Sequence, residues 1–461
     1  MEFINEAYIC SLMGDSSLKD GSFQLEVIRK AKEARGLSLK ESAALLNITS
    51  RDTLEELFDA AREVKEKIYG NRLVLFAPLY ITNTCVNNCL YCAFRRDNKD
   101  LQRKSLSLEE IERETGILVE QGHKRLLLVA GEHPKKAALD FIGRAVEKIY
   151  SVKINNGSIR RVNVNSAPMS VDDFKTLKGF GIGTYQCFQE TYNYDTYKTM
   201  HPDGPKSDYA WRLYAMDRAL QAGIEDVGIG SLFGLSDYRF ETLALLSHAF
   251  NLDVRYGIGP HTISVPRLEP ALNAPAAENP PHAVSDEDFK KIIAVLRLAV
   301  PYTGIILSTR EKAEFRRELL SAGVSQLSAG SRTSPGAYSE VSAENETMQQ
   351  FQLGDHRNLD DVVKDCCRLG YLPSFCTACY RSERTGGRFM ELAKSGGVEV
   401  LCTQNALSTF REYLTDFASE ETRLLGEEFL KTRIPQENGT AQNVVTSMLE
   451  RVTGGERDVY L

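Results

Sequence analysis

The sequence predicts an α/β protein: a complete (βα)8 TIM-type barrel with an N-terminal helical extension and a C-terminal, mostly helical subdomain. Three observations carry that expectation. Short apolar, β-rich runs are each followed by a helix-start signal, which is the alternation of parallel βα units. Eight such runs lie between residues 72 and 328, the count and span of a closed barrel. The chain of 461 residues is longer than one hydrophobic core usually supports, which leaves sequence for an appendage at each end. An open doubly wound sheet would satisfy the same alternation and is the alternative architecture.

Residues 20–69 read as helical. Ser38-Leu-Lys-Glu41 has the capping-box pattern, and Leu54, Leu57, Ala61 and Val64 then recur at spacings of three and four. The eight expected strands run from Arg72 to Ile81, Arg125 to Val129, Arg161 to Asn165, Gly183 to Phe188, Asp226 to Leu232, Val254 to Ile258, Gly304 to Leu307 and Ser325 to Ser328. Between them, Ser107-Leu-Glu-Glu110, Ser170-Val-Asp-Asp173 and Ser285-Asp-Glu-Asp288 mark helix starts, and Gly223 falls where a helix beginning near Ser207 would stop. A Pro/Ala-rich loop from Ala271 to Ala283 follows the sixth run, and loops of that length usually cover a site. The polar, acidic stretch 335–360 reads as a connection out of the barrel. The expected division is therefore 1–70 for the helical extension, 71–340 for the barrel and 341–461 for the linker and tail.

Composition narrows the function. A net charge of −7 offers no basic surplus for a phosphate backbone, and the basic residues are scattered, so nucleic acid is not an expected partner. No apolar stretch approaches the roughly 18 residues that would span a bilayer, and the first residues lack a secretory pattern. A cytoplasmic protein is expected. In a reducing compartment its 10 cysteines are metal ligands or buried fillers rather than disulfides.

Six of the cysteines fall in two clusters, Cys85-Val-Asn-Asn-Cys89-Leu-Tyr-Cys92 and Cys376-Thr-Ala-Cys379 with Cys402. Each cluster offers three thiolates. A structural zinc site closes with four protein ligands, whereas a cubane iron-sulfur cluster on three cysteines leaves one iron open to a reacting molecule. A zinc knuckle with an unseen fourth ligand, or three core cysteines, are the other readings. Cys366 and Cys367 sit in an apparent helix and read as packing residues, as do Cys10 and Cys187.

The Cys-x3-Cys-x2-Cys loop directly after a strand, with Tyr91 before the last cysteine, resembles the signature of the radical S-adenosylmethionine (SAM) enzymes. That resemblance implies a 4Fe-4S cluster on Cys85, Cys89 and Cys92, whose open iron chelates SAM and whose reduction yields a 5′-deoxyadenosyl radical. Ala130-Gly131-Glu132 resembles the family's Gly-Gly-Glu segment. Gly131 would then let the backbone approach the methionine amino group and Glu132 would help to bind it. Glu190, after the fourth run, is placed to accept from the SAM ribose, and Arg212 to pair with its carboxylate.

The tail triad narrows the resemblance. Behind a complete barrel it is similar to the HydG family, the tyrosine lyases of FeFe-hydrogenase maturation, and the similarity extends through Asn71 to Tyr80, Leu128 to Pro134, His201 to Pro205 and Gly257 to Pro270. The related tyrosine lyases of thiamine synthesis share the barrel and lack the tail cluster. The resemblance implies cleavage of L-tyrosine to p-cresol and dehydroglycine at the barrel. It further implies conversion of dehydroglycine to carbon monoxide and cyanide at a second 4Fe-4S cluster on Cys376, Cys379 and Cys402, with a fifth iron bridged by free cysteine. His261 matches the histidine that contacts this iron, and an expected strand end would point it into the barrel mouth. Arg310 is the candidate clamp for the tyrosine carboxylate, with Ser328 adding a hydrogen bond. Implied partners are L-tyrosine, SAM, free cysteine, an electron donor such as ferredoxin or flavodoxin, and a maturation scaffold protein. Two other readings remain open: a dehydroglycine synthase of the thiamine-pathway type whose tail cluster only relays electrons, and a zinc-bound docking tail.

Overall fold

The computed structural model describes residues 3–340, 347–394, 397–434 and 439–461. Its centre is a closed barrel of eight parallel strands. They are β1 (Arg72–Thr82), β2 (Arg125–Ala130), β3 (Arg161–Asn165), β4 (Tyr185–Gln186), β5 (Val227–Gly230), β6 (Thr262–Ser264), β7 (Gly304–Leu307) and β8 (Gln326–Ser328). Each pairs with its neighbour, and β8 returns to β1 through Val74, Leu75 and Phe76 opposite Gln326, Leu327 and Ser328. That last pairing excludes the open sheet. Helices Glu6–Gly14, Gly21–Ala31, Leu39–Leu46 and Arg51–Tyr69 precede the barrel, and the capping box at Ser38 is fully formed with Glu41.

The sixth strand is not where the sequence placed it. Residues 254–256 end the long helix Tyr238–Tyr256, Val254 is 85% exposed, and Gly257 terminates the helix with φ 66°. A β-branched residue on a solvent face produced the wrong period, and the left-handed glycine was the better signal. The true strand begins after His261, so this residue stands at the start of β6 and not at its end. The fourth strand is also shorter than expected, at Tyr185–Gln186. The loop 271–283 contains one helical turn, Pro275–Glu278, whose Ala276 and Ala277 are buried. Among the described residues no helix is long and apolar enough to cross a membrane.

Beyond the barrel, part of the 335–360 connection, residues 341–346, lies outside the described residues, as does the first residue of the expected tail. The chain then forms helix Leu359–Arg368 and a ninth parallel strand, β9 (Leu372–Ser374). β9 pairs with Arg72, Leu73 and Val74, the first residues of β1. This register carries the tail cysteines to the amino-terminal end of the barrel. Helix Gly397–Asp416 locks there through Glu412, whose buried carboxylate meets Lys124 at 3.1 Å and Arg160 at 2.5 Å. Burial works to raise the Glu412 carboxyl, and the two cations outweigh it and hold it below its ordinary range.

Candidate functional site

The carboxyl-terminal mouth encloses a cavity of ≈ 220 Å³. The loop after β1 supplies Cys85, Cys89 and Cys92, and the strand ends supply Gly131, Glu132, Glu190, Arg310 and Ser328 to the same wall. Arg212 joins them from the short helix Tyr209–Leu213. The barrel-site residues singled out in the sequence, Tyr91 included, therefore line one cavity, with the exception of His261.

Gly131 is required by space. A Cβ there would lie 2.6 Å from the Thr84 carbonyl oxygen, because Gly131 N–H donates to Thr82 and Val86 N–H donates to Glu132, clamping the two loops together. Glu132 accepts from Asn87 Nδ2 at 2.6 Å. Tyr91 is held by its hydroxyl, 2.7 Å from His201 Nε2, so His201 is a buried structural partner.

Glu190 adopts φ 71°, a strained conformation for a residue with a side chain. Its neighbours pin it. Thr191 Oγ1 and the Tyr192 N–H both donate to the buried carboxylate of Glu241, and the Ser231 hydroxyl lies 2.8 Å from the Glu190 carbonyl. Lys206 donates to the Glu190 carboxylate at 2.8 Å, closer than Arg212 at 3.7 Å, whose Nε is engaged by the Phe188 carbonyl. Burial tends to raise the Glu190 carboxyl, and Lys206 and Arg212 outweigh it and hold it low. Lys206 was missed in the sequence although it directly follows the His201 to Pro205 motif. Arg310 is half-buried, its guanidinium stacked 3.4 Å from the Phe351 ring centre, while Glu311 pairs with Arg267. Ser328 Oγ accepts from the Thr309 N–H at 3.1 Å and keeps its own proton free to donate.

A second cavity, ≈ 50 Å³, lies at the amino-terminal mouth and is lined by Arg72, Arg125, His261, Cys376, Cys379 and Tyr380. Cys402 sits 8% exposed on helix Gly397–Asp416 beside Cys379, and the contact between the two thiols lowers the Cys402 pKa and pushes Cys379 up. His261 thus faces the tail triad, with its ring packed 4.5 Å from that of Phe389 and 3.7 Å from Asp226. Burial, with Arg161 and Arg125 nearby, lowers its pKa to about 4 and leaves the imidazole neutral. Arg72 Nε, Arg125 Nε and Arg161 Nη1 are buried here without hydrogen-bond partners among the described residues.

Both donor sets fit the groups implied. Three soft thiols on a short loop, facing a bare glycine backbone and a charged carboxylate-lysine pair, suit a thiolate-bound cluster and a zwitterionic nucleoside ligand. At the tail, buried guanidinium nitrogens without partners suit an anionic cluster, since buried cations are ordinarily compensated.

Residues 79–246 match the model of the Radical SAM superfamily, and residues 264–372 match the Biotin and Thiamin Synthesis associated domain. The 2-iminoacetate synthase of Escherichia coli (strain K12) is 30% identical over 347 residues, 75% of this chain and 89% of that protein. A crystal structure of HydG, a maturase of the FeFe-hydrogenase, is 50% identical with a TM-score of 0.96 and full coverage (100%) of both chains. The chain belongs to the HydG family. HydG from Carboxydothermus hydrogenoformans, at 43% identity and a TM-score of 0.85, covers 97% of this chain and is itself covered to 99%. Whereas the Escherichia coli relative aligns over 75% of the chain, both HydG structures extend over 97% or more, which includes the tail. As a radical SAM enzyme of the HydG family, the protein uses a 4Fe-4S cluster and SAM.

Proposed function

We propose that this enzyme cleaves L-tyrosine to p-cresol and dehydroglycine at the carboxyl-terminal mouth. At the amino-terminal mouth the fragment is converted to carbon monoxide and cyanide, supplying iron-carbonyl-cyanide units for the H-cluster of FeFe-hydrogenase. The division into helical extension (1–70), barrel (71–340) and auxiliary-cluster unit (341–461) belongs to this reading. The observation that carries it is the placement of two three-cysteine sets at opposite ends of one barrel, on either side of a shared interior. Phe76, Pro78 and Tyr80 of β1 line the first cavity, and Arg72 and Val74 of the same strand line the second. At ~3.3 Å per residue the eight-residue step from Arg72 to Tyr80, which runs from one cavity into the other, spans about 26 Å.

Cys85, Cys89 and Cys92 would hold the SAM-binding cluster, Cys376, Cys379 and Cys402 would hold the auxiliary cluster, and His261 would offer its imidazole to an additional iron there, with free cysteine as a further ligand. When bound, the first cluster and SAM would supply a 5′-deoxyadenosyl radical for hydrogen abstraction from the tyrosine amino group. Glu190, braced by Lys206, orients the ribose. Glu132 and the Gly131 backbone hold the methionine amino group, and Arg212 its carboxylate. Arg310, fixed by Phe351, clamps the tyrosine carboxylate while the Ser328 hydroxyl donates to it, since a misplacement of about 1 Å can cost ~100-fold in rate. The loop 271–283 packs its buried alanines against Tyr80 and Phe94 and excludes water. An electron donor such as ferredoxin or flavodoxin and a scaffold that accepts the product complete the cycle.

An electron-relay tail would make dehydroglycine and stop. A zinc-bound docking tail would need a fourth protein ligand beside Cys376, Cys379 and Cys402. Changing Cys376 and Cys379 to alanine is the test: p-cresol persists and carbon monoxide disappears. Equal loss of both products, with the protein folded and the barrel cluster intact, would overturn two separate stages, and zinc in place of iron at the tail would exclude its catalytic role.

A further inference from the structure

Gln350 belongs to the polar connection that leaves the barrel, yet it reaches back to the cysteine loop. Its Nε2 lies 3.6 Å from Cys92 Sγ, and its Oε1 accepts from the Tyr80 hydroxyl at 2.8 Å. The two contacts fix one orientation of the amide. With Tyr80 donating to Oε1, the N–H faces sulfur, whereas the flipped amide would aim oxygen lone pairs at it.

The backbone holds this arrangement from several sides. Gln350 N–H donates to the Thr333 carbonyl at 3.0 Å, and the Gln350 carbonyl accepts from Ala93 N–H at 3.3 Å, one residue past Cys92. Gln102 N–H reaches Thr347, and Gln352 N–H reaches Pro270. Phe351 packs with Tyr80, Phe94, Ala271, Ala274 and Ala277, the side chains of the cysteine loop and the loop that covers it.

We propose that Gln350, oriented by Tyr80, sets the reduction potential of the SAM-binding cluster through an N–H···S hydrogen bond to the ligand Cys92. This rests on the cluster reading of Cys85, Cys89 and Cys92. Reduction places an extra electron on a cluster whose charge is spread over its sulfurs, and a donor aimed at a ligand sulfur stabilises that more negative state. The result is a cluster that accepts an electron more readily. Gln350 is a positioning residue in this sense: it touches the ligand, and it links the tail connection to the reactive centre.

The test is a redox titration, followed by electron paramagnetic resonance, of the reconstituted enzyme with assayed iron and sulfide. Wild type is compared with Gln350→Leu, Gln350→Glu and Tyr80→Phe. Gln350→Leu is expected to weaken reduction of the cluster about tenfold, a ~59 mV fall for a one-electron couple. Gln350→Glu, which keeps the acceptor for Tyr80 but turns an oxygen toward sulfur, should lower it further, and Tyr80→Phe should lower it less. Variants that carry the full cluster and titrate at the wild-type potential would overturn the proposal, because a purely packing role moves stability alone. A wild-type protein without a 4Fe-4S cluster on the first triad would instead overturn the cluster reading itself, and this inference with it.

Discussion

Replacing Gly131 by alanine tests the geometry of the first cavity with one methyl group. The added Cβ would lie 2.6 Å from the Thr84 carbonyl oxygen, 3.2 Å from its carbon and 3.4 Å from Cys85 Cβ, and real Cβ contacts essentially never fall below 3.0 Å. The two segments must therefore separate by at least 0.4 Å. Neither partner is the free end of a flexible side chain: the clash is with backbone, held by the Gly131 to Thr82 and Val86 to Glu132 hydrogen bonds. Overpacking of this kind costs about 1–3 kcal/mol, or roughly 5- to 150-fold in an equilibrium constant. Since the displaced segment carries Cys85, that cost is expected in cluster assembly and SAM affinity more than in global unfolding. The assay is iron content per chain after anaerobic reconstitution, followed by SAM binding measured by calorimetry. An alanine variant that loads iron and binds SAM like wild type would refute the claim that these loops are locked in contact.

Two further predictions concern titration and substrate. Burial raises the Glu241 carboxyl to about 7 even though Thr191, Tyr192 and Ser231 donate to it. The native state then keeps a proton that the unfolded chain releases near its ordinary value of 4.5, so this residue's contribution to stability falls as pH rises from 4.5 to 7, by about 3 kcal/mol. Glu241→Gln mimics the protonated form, and its stability relative to wild type, followed by thermal unfolding across that range, should rise with pH; a constant difference would contradict the assignment. Arg310→Lys keeps the charge but not the two-pronged donor, and a loss of ~1.4–2.8 kcal/mol should raise the KM for tyrosine about 10- to 100-fold, measured by p-cresol release. An unchanged KM would make Arg310 a rim residue held by Phe351.

Local signals were read where one interaction decides the outcome. Ser38, Ser107, Ser170 and Ser285 each cap the helix expected of them, because a hydroxyl three residues before a free N–H is a contact within one turn. The cysteine loop was legible for a similar reason: Cys85, Cys89 and Cys92 fall within one short segment, whereas Cys402 joins Cys376 and Cys379 from a separate helix. Val254 to Ile258 failed because apolar residues at a helix end and in a short strand look alike until exposure is known. Cys10 was taken for a buried cysteine and is exposed, while Cys366 and Cys367 are buried in helix Leu359–Arg368.

By itself, then, the sequence determined the barrel, the two thiol sets and most of the charged groups around the first. Tertiary structure decided which end of the barrel each set occupies. His261 shows why. Its candidacy as an iron contact came from the family resemblance, but its mouth depended on whether β6 begins or ends beside it, and a shift of a few residues along a strand moves a side chain to the opposite end. The parallel pairing of β9 with the first residues of β1, a contact between positions about 300 residues apart, sends the tail to that same end. Lys206 and Gln350 likewise gained their roles only from chain segments that meet in space, since a polar residue in a loop carries no mark of the sulfur or carboxylate it will face.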